Sequence, residues 1–214
     1  MSKSKLESEI TVHNIGYEDI DEVVNLSQVV FGPRIAYRRE QLESQLEIFP
    51  EGQTCIKYKE KIVGSCSSVI VNFDEYGVQH SFKEISDEGF IQNHNPNGIN
   101  LYGIDVTVHP DYRQMKIGRR LYETRRNICR QFNLRSIMFG GRIPHYYKYA
   151  DKMPVDKYVE CVIQGSIYDP VLTFQLRNGF TVKTIMKNYI PEDEASLKYG
   201  ILMEWLNDHY TPRN

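Results

Sequence analysis

The sequence contains little cysteine, and its few cysteines lie far apart. Among 214 residues, Cys55, Cys66, Cys129 and Cys161 form no Cys-x-x-Cys pair, and none has a histidine at zinc-site spacing. We therefore expect neither a disulfide framework nor a metal site, and we expect reduced thiols.

The chain also lacks a charge excess and a long apolar run. Its formal net charge is −2, from 26 basic and 28 acidic residues, which argues against broad electrostatic binding to nucleic acid or an anionic membrane. No run approaches membrane-spanning length, and the first nine residues contain no apolar segment typical of a secretory leader. These absences predict a cytoplasmic protein.

The overall composition of the chain is typical of a globular protein. It is 41% hydrophobic and 25% charged, as in folded proteins rather than disordered ones. Its length is enough for one good core, so we expect residues 1–214 to form a single domain.

The most informative stretch covers residues 101–132. The β-branched run Ile104, Val106 and Val108 predicts a buried strand, which Pro110 ends because proline has no N–H for the ladder. Beyond Gly118 the apolar residues change to helical spacing. The stretch therefore predicts a strand, a turn and a helix.

The turn has the properties of an anion site. A helix N-terminus leaves backbone N–H groups without partners and carries partial positive charge. Gly118 allows a ligand to approach the backbone closely, and Arg113 and Lys116 add full charges. The alternative is a turn with solvated side chains, but this context favours phosphate binding.

These residues resemble a known family. The pattern Val106-x-Val108-x-Pro110 followed by Arg113-x-x-Lys116-x-Gly118 is similar to the acyl-CoA loop of the GCN5-related N-acetyltransferases (GNAT). The chain departs from that pattern at Lys116, where the family usually has glycine.

The resemblance implies a cofactor site and a fold. Backbone N–H groups of the loop would hold the pyrophosphate of acetyl-CoA or another acyl-CoA, and the strand edge would pair with the pantetheine arm. The implied cofactor-binding residues are Val106, Thr107, Val108, Arg113, Gln114, Met115, Lys116, Ile117, Gly118 and Arg119. The implied fold is α/β, a central mixed sheet with helices on both faces, in which the strands at 101–108 and 135–139 are parallel neighbours that splay apart.

The rest of the chain predicts further strands and helices that fit this fold. Strands are expected at 10–14, 53–58, 61–72, 180–187 and 199–205, and helices at 17–30, 38–49, 155–163 and 171–177, with a short one near Phe82. The long polar stretch 73–100 is expected to be functional or mobile.

Residues 140–170 form a longer insert that resembles a narrower group. The stretches Gly140-Gly-Arg-Ile-Pro, Lys148-Tyr-Ala-Asp and Tyr168-Asp-Pro-Val-Leu-Thr-Phe-Gln-Leu are similar to acetyltransferase-like domains fused to carbon–nitrogen (nitrilase-type) hydrolases. The resemblance implies one domain of a longer chain or a stand-alone relative.

The residues that would move protons are less well defined. By the resemblance, Gln175 stands where the family often uses tyrosine to protonate the departing thiolate, and glutamine cannot act as an acid. Asp105, His145 and Tyr168 are the catalytic candidates, each with a structural alternative: a paired carboxylate, a loop histidine and a packing tyrosine. Tyr146, Tyr147 and Tyr149 can likewise be packing residues or the missing acid.

Three functions remain open at this stage. The first is an N-acyltransferase in which a small-molecule or protein amine attacks the thioester directly. The second is a catalytically weak acyl-CoA-binding module of a carbon–nitrogen hydrolase system. The third is an RNA- or partner-binding domain, against which the near-neutral charge argues. The family resemblance leaves a homodimer open, and no nucleic acid or membrane partner is expected.

Overall fold

A computed structural model describes residues 9–212, and the predictions made for the first eight residues lie outside that range. One mixed sheet of seven strands runs through the described chain. The strands are β1 (Ile10–Asn14), β2 (Thr54–Tyr58), β3 (Lys61–Val71), β4 (Asn100–Val108), β5 (Ser136–Gly141), β6 (Thr181–Met186) and β7 (Gly200–Leu206). Their order across the sheet is β1-β2-β3-β4-β5-β7-β6.

Six α-helices surround this sheet. They are α1 (Ile20–Phe31), α2 (Arg39–Ile48), α3 (Phe82–Ser86), α4 (Ile117–Gln131), α5 (Val155–Ile163) and α6 (Leu172–Arg177), with short 3₁₀ segments between several elements. The α/β mixed-sheet fold expected from the sequence is confirmed. Among the described residues, no helix has the length and apolar character needed to cross a membrane.

The start of the first helix differs from the sequence expectation, whereas the β2–β3 connection has the expected two-residue length. The helix expected from Tyr17 begins as a 3₁₀ turn, and α1 itself starts at Ile20. The β2–β3 connection is a two-residue hairpin although it lacks glycine, because Lys59 and Glu60 both adopt left-handed φ angles of 50° and 65°.

The two faces of β4 meet different partners. Val106 and Val108 pack with Ile117 in a small apolar cluster beneath α4. Asp105 points to the opposite face, where it meets Tyr37 in the segment between α1 and α2. This alternation is the normal strand period, and it places polar groups on one side of β4 and the start of α4 on the other.

Candidate functional site

A cleft opens where the two parallel strands part. β4 and β5 pair over only three positions, the last being Tyr102 opposite Met138. Beyond that point β4 follows β3 and β5 follows β7, so the predicted splay between them is confirmed. The opening leads into a cavity of about 1030 Å³ lined from both faces of the sheet.

The loop before α4 borders this cavity. Arg113, Gln114 and Gly118 line it. The first i to i−4 backbone hydrogen bond of α4 runs from the Arg120 amide to the Lys116 carbonyl at 3.2 Å. The amides just before Arg120 therefore belong to the N-terminal turn of the helix, where amides have no partner within the helix. A Cβ at Gly118 would approach the Phe174 ring to 2.9 Å, which explains why glycine fits here.

Lys116 has an unusual backbone conformation for its side chain. Its φ of 58° and ψ of 23° lie in the left-handed region, directly before the first residue of α4. Glycine, which the family usually has at this position, reaches that region without a Cβ penalty. The departure therefore leaves the turn geometry intact and adds a cation to it.

A second, smaller cavity adjoins the loop on its outer side. It measures about 330 Å³ and is lined by Lys116, Arg119, Arg120 and Glu123. Three cations against one carboxylate give this pocket a positive balance next to the helix N-terminus. Phosphate groups are favoured in such a place.

The other residues implied by the resemblance divide between the cavity and the core. Val106 and Val108 line the cavity. Met115 and Ile117 pack in the small cluster beneath α4. The Thr107 side chain turns to the opposite face and donates a hydrogen bond to Asp105 at 2.7 Å, so only its backbone remains on the strand edge.

Asp105 borders the cavity within a dense hydrogen-bond network. Its Oδ1 accepts from the Tyr37 hydroxyl at 3.1 Å and from the Ser67 amide at 2.9 Å, while Oδ2 accepts from Thr107. Burial raises the pKa of this carboxyl, against the lowering effects of these hydrogen bonds and of the Arg125 charge.

The other two catalytic candidates lie in the insert. Tyr168 lines the cavity and is largely exposed. The cavity lining does not include His145, whose amide donates to Asp169 at 3.0 Å. Tyr146 is not among the residues that line the cavity, and its ring centroid lies 5.1 Å from that of Tyr158.

Arg125 was missed by the sequence reasoning, although it occupies a buried position of the α4 stripe. Its side chain is fully enclosed, and it donates to the Ser68 hydroxyl at 3.0 Å and to the Ser67 and Asp105 carbonyls at 2.8 and 2.7 Å. These oxygens flank the point where the β3–β4 register skips Ile104. The sequence did offer a signal for this buried arginine. Arg125 lies four positions after Leu121, so a helical arrangement places a charged residue on the apolar face.

Gln175 and Tyr122 meet beside the cleft. Burial raises the pKa of Tyr122 to about 12, against the lowering effects of the Arg125 charge and of the Gln175 side chain. Gln175 is buried, and its Oε1 finds no hydrogen-bond partner among the described residues. A Cβ at Gly141 would lie only 2.3 Å from this oxygen. A ligand N–H in the cleft would satisfy it.

One cysteine cluster lies outside the cleft. The Sγ of Cys55 lies 3.1 Å from Nε2 of His13, which is also 3.3 Å from Asp19. The Lys57 ammonium pairs with the same carboxylate at 2.9 Å, so the group is a hydrogen-bonded network at the sheet edge. Spacing along the sequence could not indicate it because the residues lie on different elements.

Comparisons with known proteins indicate the family of this chain. The model of the acetyltransferase (GNAT) family matches residues 20–147. The chain is 38% identical over 205 residues to the uncharacterized N-acetyltransferase YkwB of Bacillus subtilis (strain 168), covering 94% of this chain and 90% of that protein. It is 51% identical over 210 residues to the probable hydrolase YhcX of the same organism, covering 98% of this chain but 41% of that protein.

A solved structure shares the fold. The GphF GNAT-like decarboxylase, in complex with isobutyryl-CoA, superimposes with a TM-score of 0.78 and 21% identity, covering 92% of this chain and 98% of that one. Because the family model matches more than half of the sequence and YkwB aligns with nearly all of it, this chain belongs to the acetyltransferase (GNAT) family.

Proposed function

We propose that the protein is an N-acyltransferase that moves an acetyl or other acyl group from coenzyme A to an amine. The observation that carries this proposal is the position of the cleft. The parted strands β4 and β5 open beside the N-terminus of α4, so one long ligand can reach both. Membership of the family supports acyl transfer in general, and the donor and acceptor are part of the proposal.

The donor would be held by the loop and the strand edge. Amides at the start of α4, with Arg113 and Lys116, would bind the pyrophosphate. The pantetheine arm would pair with β4 at Val106 to Val108, and Gln175 Oε1 would accept a hydrogen bond from one of its amides. This oxygen is buried without a partner among residues 9–212, which makes the site suited to a ligand that carries N–H groups.

The reaction would be a direct attack in a ternary complex. The free amine attacks the thioester carbonyl, and a backbone N–H near Val106 stabilises the developing oxyanion. Asp105 already accepts three hydrogen bonds, which reduces its capacity to take the substrate proton. Tyr168 and His145 stay predictions as acid or base.

The acceptor would enter from the opposite side of β4. There the cavity is bordered by the carboxylates of Glu88 and Glu192 and by the rings of Tyr37 and Phe82. Carboxylates attract an ammonium group, and aromatic rings accommodate both cations and apolar chains. These side chains support an amine of small size or the end of a peptide.

A hydrolase partner is proposed on the basis of one relative. The chain spans about two fifths of the length of YhcX, which is named a probable hydrolase. We infer that the acyl-CoA domain works beside a linked carbon–nitrogen hydrolase domain in such proteins.

The second candidate is an acyl-CoA-binding module with weak chemistry. Gln175 favours it, because glutamine cannot supply the proton that a tyrosine would give to the thiolate. Both candidates require the same cofactor loop, and they differ in turnover.

The first test is a calorimetric titration with acetyl-CoA and with coenzyme A on wild type, Gly118→Trp and Tyr147→Trp. An indole at Gly118 would occupy the space between the loop and Phe174, so affinity should fall by well over tenfold, about 1.4 kcal/mol. Tyr147 is exposed and lies outside the cavity, so that variant is the matched control and should bind normally.

Turnover then separates the two candidates. Release of coenzyme A thiol is measured with an amino alcohol, a polyamine, an arylamine and a short peptide as acceptors. Binding with release supports the transferase, and binding without release for any acceptor supports the module. Equal binding by wild type and Gly118→Trp would remove the loop from the proposal.

A further inference from the structure

Three polar groups form a line from the cleft into the core. The hydroxyl oxygens of Tyr189 and Tyr102 are 3.0 Å apart, and the Tyr102 oxygen lies 2.8 Å from Nε2 of His80. Nδ1 of His80 lies 2.8 Å from the Gly77 carbonyl oxygen. All three side chains are buried, and none of them was singled out by the sequence motifs.

The donor and acceptor of each hydrogen bond in this line can be assigned. A carbonyl oxygen can only accept, so the His80 proton is on Nδ1 and points to Gly77. Burial lowers the pKa of His80, which keeps the imidazole neutral with a free lone pair on Nε2. Tyr102 therefore donates to His80, and its oxygen accepts from the Tyr189 hydroxyl.

The outer end of the line reaches the cleft. The Tyr189 ring lies over Gly140 of β5 and Gly200 of β7, where a Cβ on Gly140 would stand 2.6 Å from the hydroxyl oxygen. Gly140 follows the last β4–β5 pair, so this hydroxyl is at the splay. Tyr189 also lines the cavity, together with Phe82 and Ile190.

The surroundings of the inner end keep His80 neutral between turnovers, against weaker effects that favour its protonated form. The rings of Phe73, Tyr102 and Tyr189 enclose His80, with centroid distances of 5.3, 5.5 and 5.9 Å. The charge that acts on it is Glu84 of α3, which favours the imidazolium and so raises its pKa, against the larger effect of burial. The Gly77 carbonyl also favours that form.

We propose that Tyr189, Tyr102 and His80 form a proton relay for acyl transfer, with His80 as the terminal base. The proposal rests on the transferase function above. An N–H bond of the bound ammonium breaks as Tyr189 receives its proton, Tyr189 passes its own to Tyr102, and Tyr102 passes its own to His80 Nε2. Neither phenol becomes charged, because each oxygen gives one proton as it receives another.

The same line closes the cycle. After the amine attacks, its nitrogen carries a second proton, which passes to solvent water as the amide forms. When the carbon–sulfur bond breaks, the imidazolium returns its proton through Tyr102 and Tyr189 to the coenzyme A thiolate. The relay would thus supply both the base that removes a proton and the acid that Gln175 cannot provide.

The test compares wild type with Tyr102→Phe, Tyr189→Phe and His80→Gln. The matched control is Tyr146→Phe, which also removes the hydroxyl of a buried tyrosine. That hydroxyl donates to the Met153 carbonyl at 3.4 Å, and Tyr146 does not line the cavity. Rates of thiol release from acetyl-CoA are measured with the best acceptor, between about pH 5 and pH 9, in H₂O and in H₂O–D₂O mixtures. Circular dichroism confirms that each variant is folded.

In wild type, kcat should fall toward acid pH, beyond the ordinary range of histidine, because burial lowers the pKa of His80 and the protonated ring can no longer accept a proton. Each relay variant should lower kcat by about 100-fold and keep the KM for acetyl-CoA. The wild-type rate should depend on the D₂O fraction along a curve, because several protons move together. Each variant should lose that curvature and also the fall of kcat at acid pH. Tyr146→Phe should match wild type.

The outcomes separate the relay from the function beneath it. No thiol release by wild type with any acceptor would overturn both. An active wild type whose relay variants behave like Tyr146→Phe would overturn the relay alone. Reduced kcat with an unchanged pH profile and isotope plot would also overturn it, since a structural role alone gives that result.

Discussion

Single residues decide how the loop before α4 differs from the family pattern. Lys116 keeps a left-handed turn that glycine usually makes, and its side chain reaches the small basic cavity. Gly118 leaves space in front of Phe174. At Lys116 the backbone therefore supplies the turn and the side chain supplies the charge.

Lys116→Gly tests this division. Because φ at this position is 58°, glycine should raise the free energy of unfolding by about 1 kcal/mol. Affinity for acetyl-CoA should stay within about tenfold, or 1.4 kcal/mol, because backbone amides would supply most of the phosphate grip. Chemical denaturation and calorimetry measure the two quantities.

The control is Glu60→Gly, at an exposed hairpin residue with φ of 65°. It should gain similar stability with no change in affinity. A loss of affinity far above tenfold in Lys116→Gly would identify the lysine as a principal phosphate ligand instead.

At the scale of elements, one buried side chain ties a helix to the irregular part of the sheet. Arg125 of α4 donates to three oxygens on β3 and β4 where their register shifts. Asp105 lies at the same point, and its carboxylate balances the buried charge. The position of the cleft edge thus depends on α4 as well as on the strand itself.

Arg125→Met should lower the free energy of unfolding by about 3 kcal/mol, because it leaves buried acceptors and the Asp105 charge without their partner. Arg130→Met on the same helix is the control. Arg130 is partly exposed and lies over Trp205, so its loss should change stability by about 1 kcal/mol or less. Urea denaturation gives both values, and equal losses would contradict the role assigned to Arg125.

At the scale of the whole molecule, distant loops are held together around the cleft. Arg142, just after β5, makes two hydrogen bonds of 2.7 and 2.5 Å to Asp193 in the β6–β7 connection, which also carries Tyr189. Burial alone would raise the pKa of Asp193, but the hydrogen bonds from Arg142 and Ser196 outweigh it and hold that pKa below 3.8. The pair fixes the loop that presents the Tyr189 ring to the sheet.

A depressed carboxyl pKa gives stability that is present above the unfolded value and is lost as pH falls through the folded one. At pH 7 Asp193→Asn should therefore be less stable than wild type by about 2 kcal/mol. The difference should shrink as pH falls below 3.8.

Glu194→Gln alters the neighbouring exposed pair with Arg34 and should change stability by less than about 0.5 kcal/mol. Urea denaturation across the acid range measures all three proteins. A constant difference in the free energy of unfolding between wild type and Asp193→Asn, down to the lowest pH, would show that the charge of Asp193 does not cause the stabilisation.

The sequence by itself determined the secondary-structure elements and the family. Apolar periodicity located the strands and helices to within a few residues, and the motif around Gly118 indicated the family, because both signals lie in short continuous stretches. The lines of polar contact came only from the tertiary structure. Tyr102 and Tyr189 are 87 residues apart and Arg125 is 57 from Ser68, so no local pattern connects them. The sheet order brings them together, and burial then forces each polar group to find a partner.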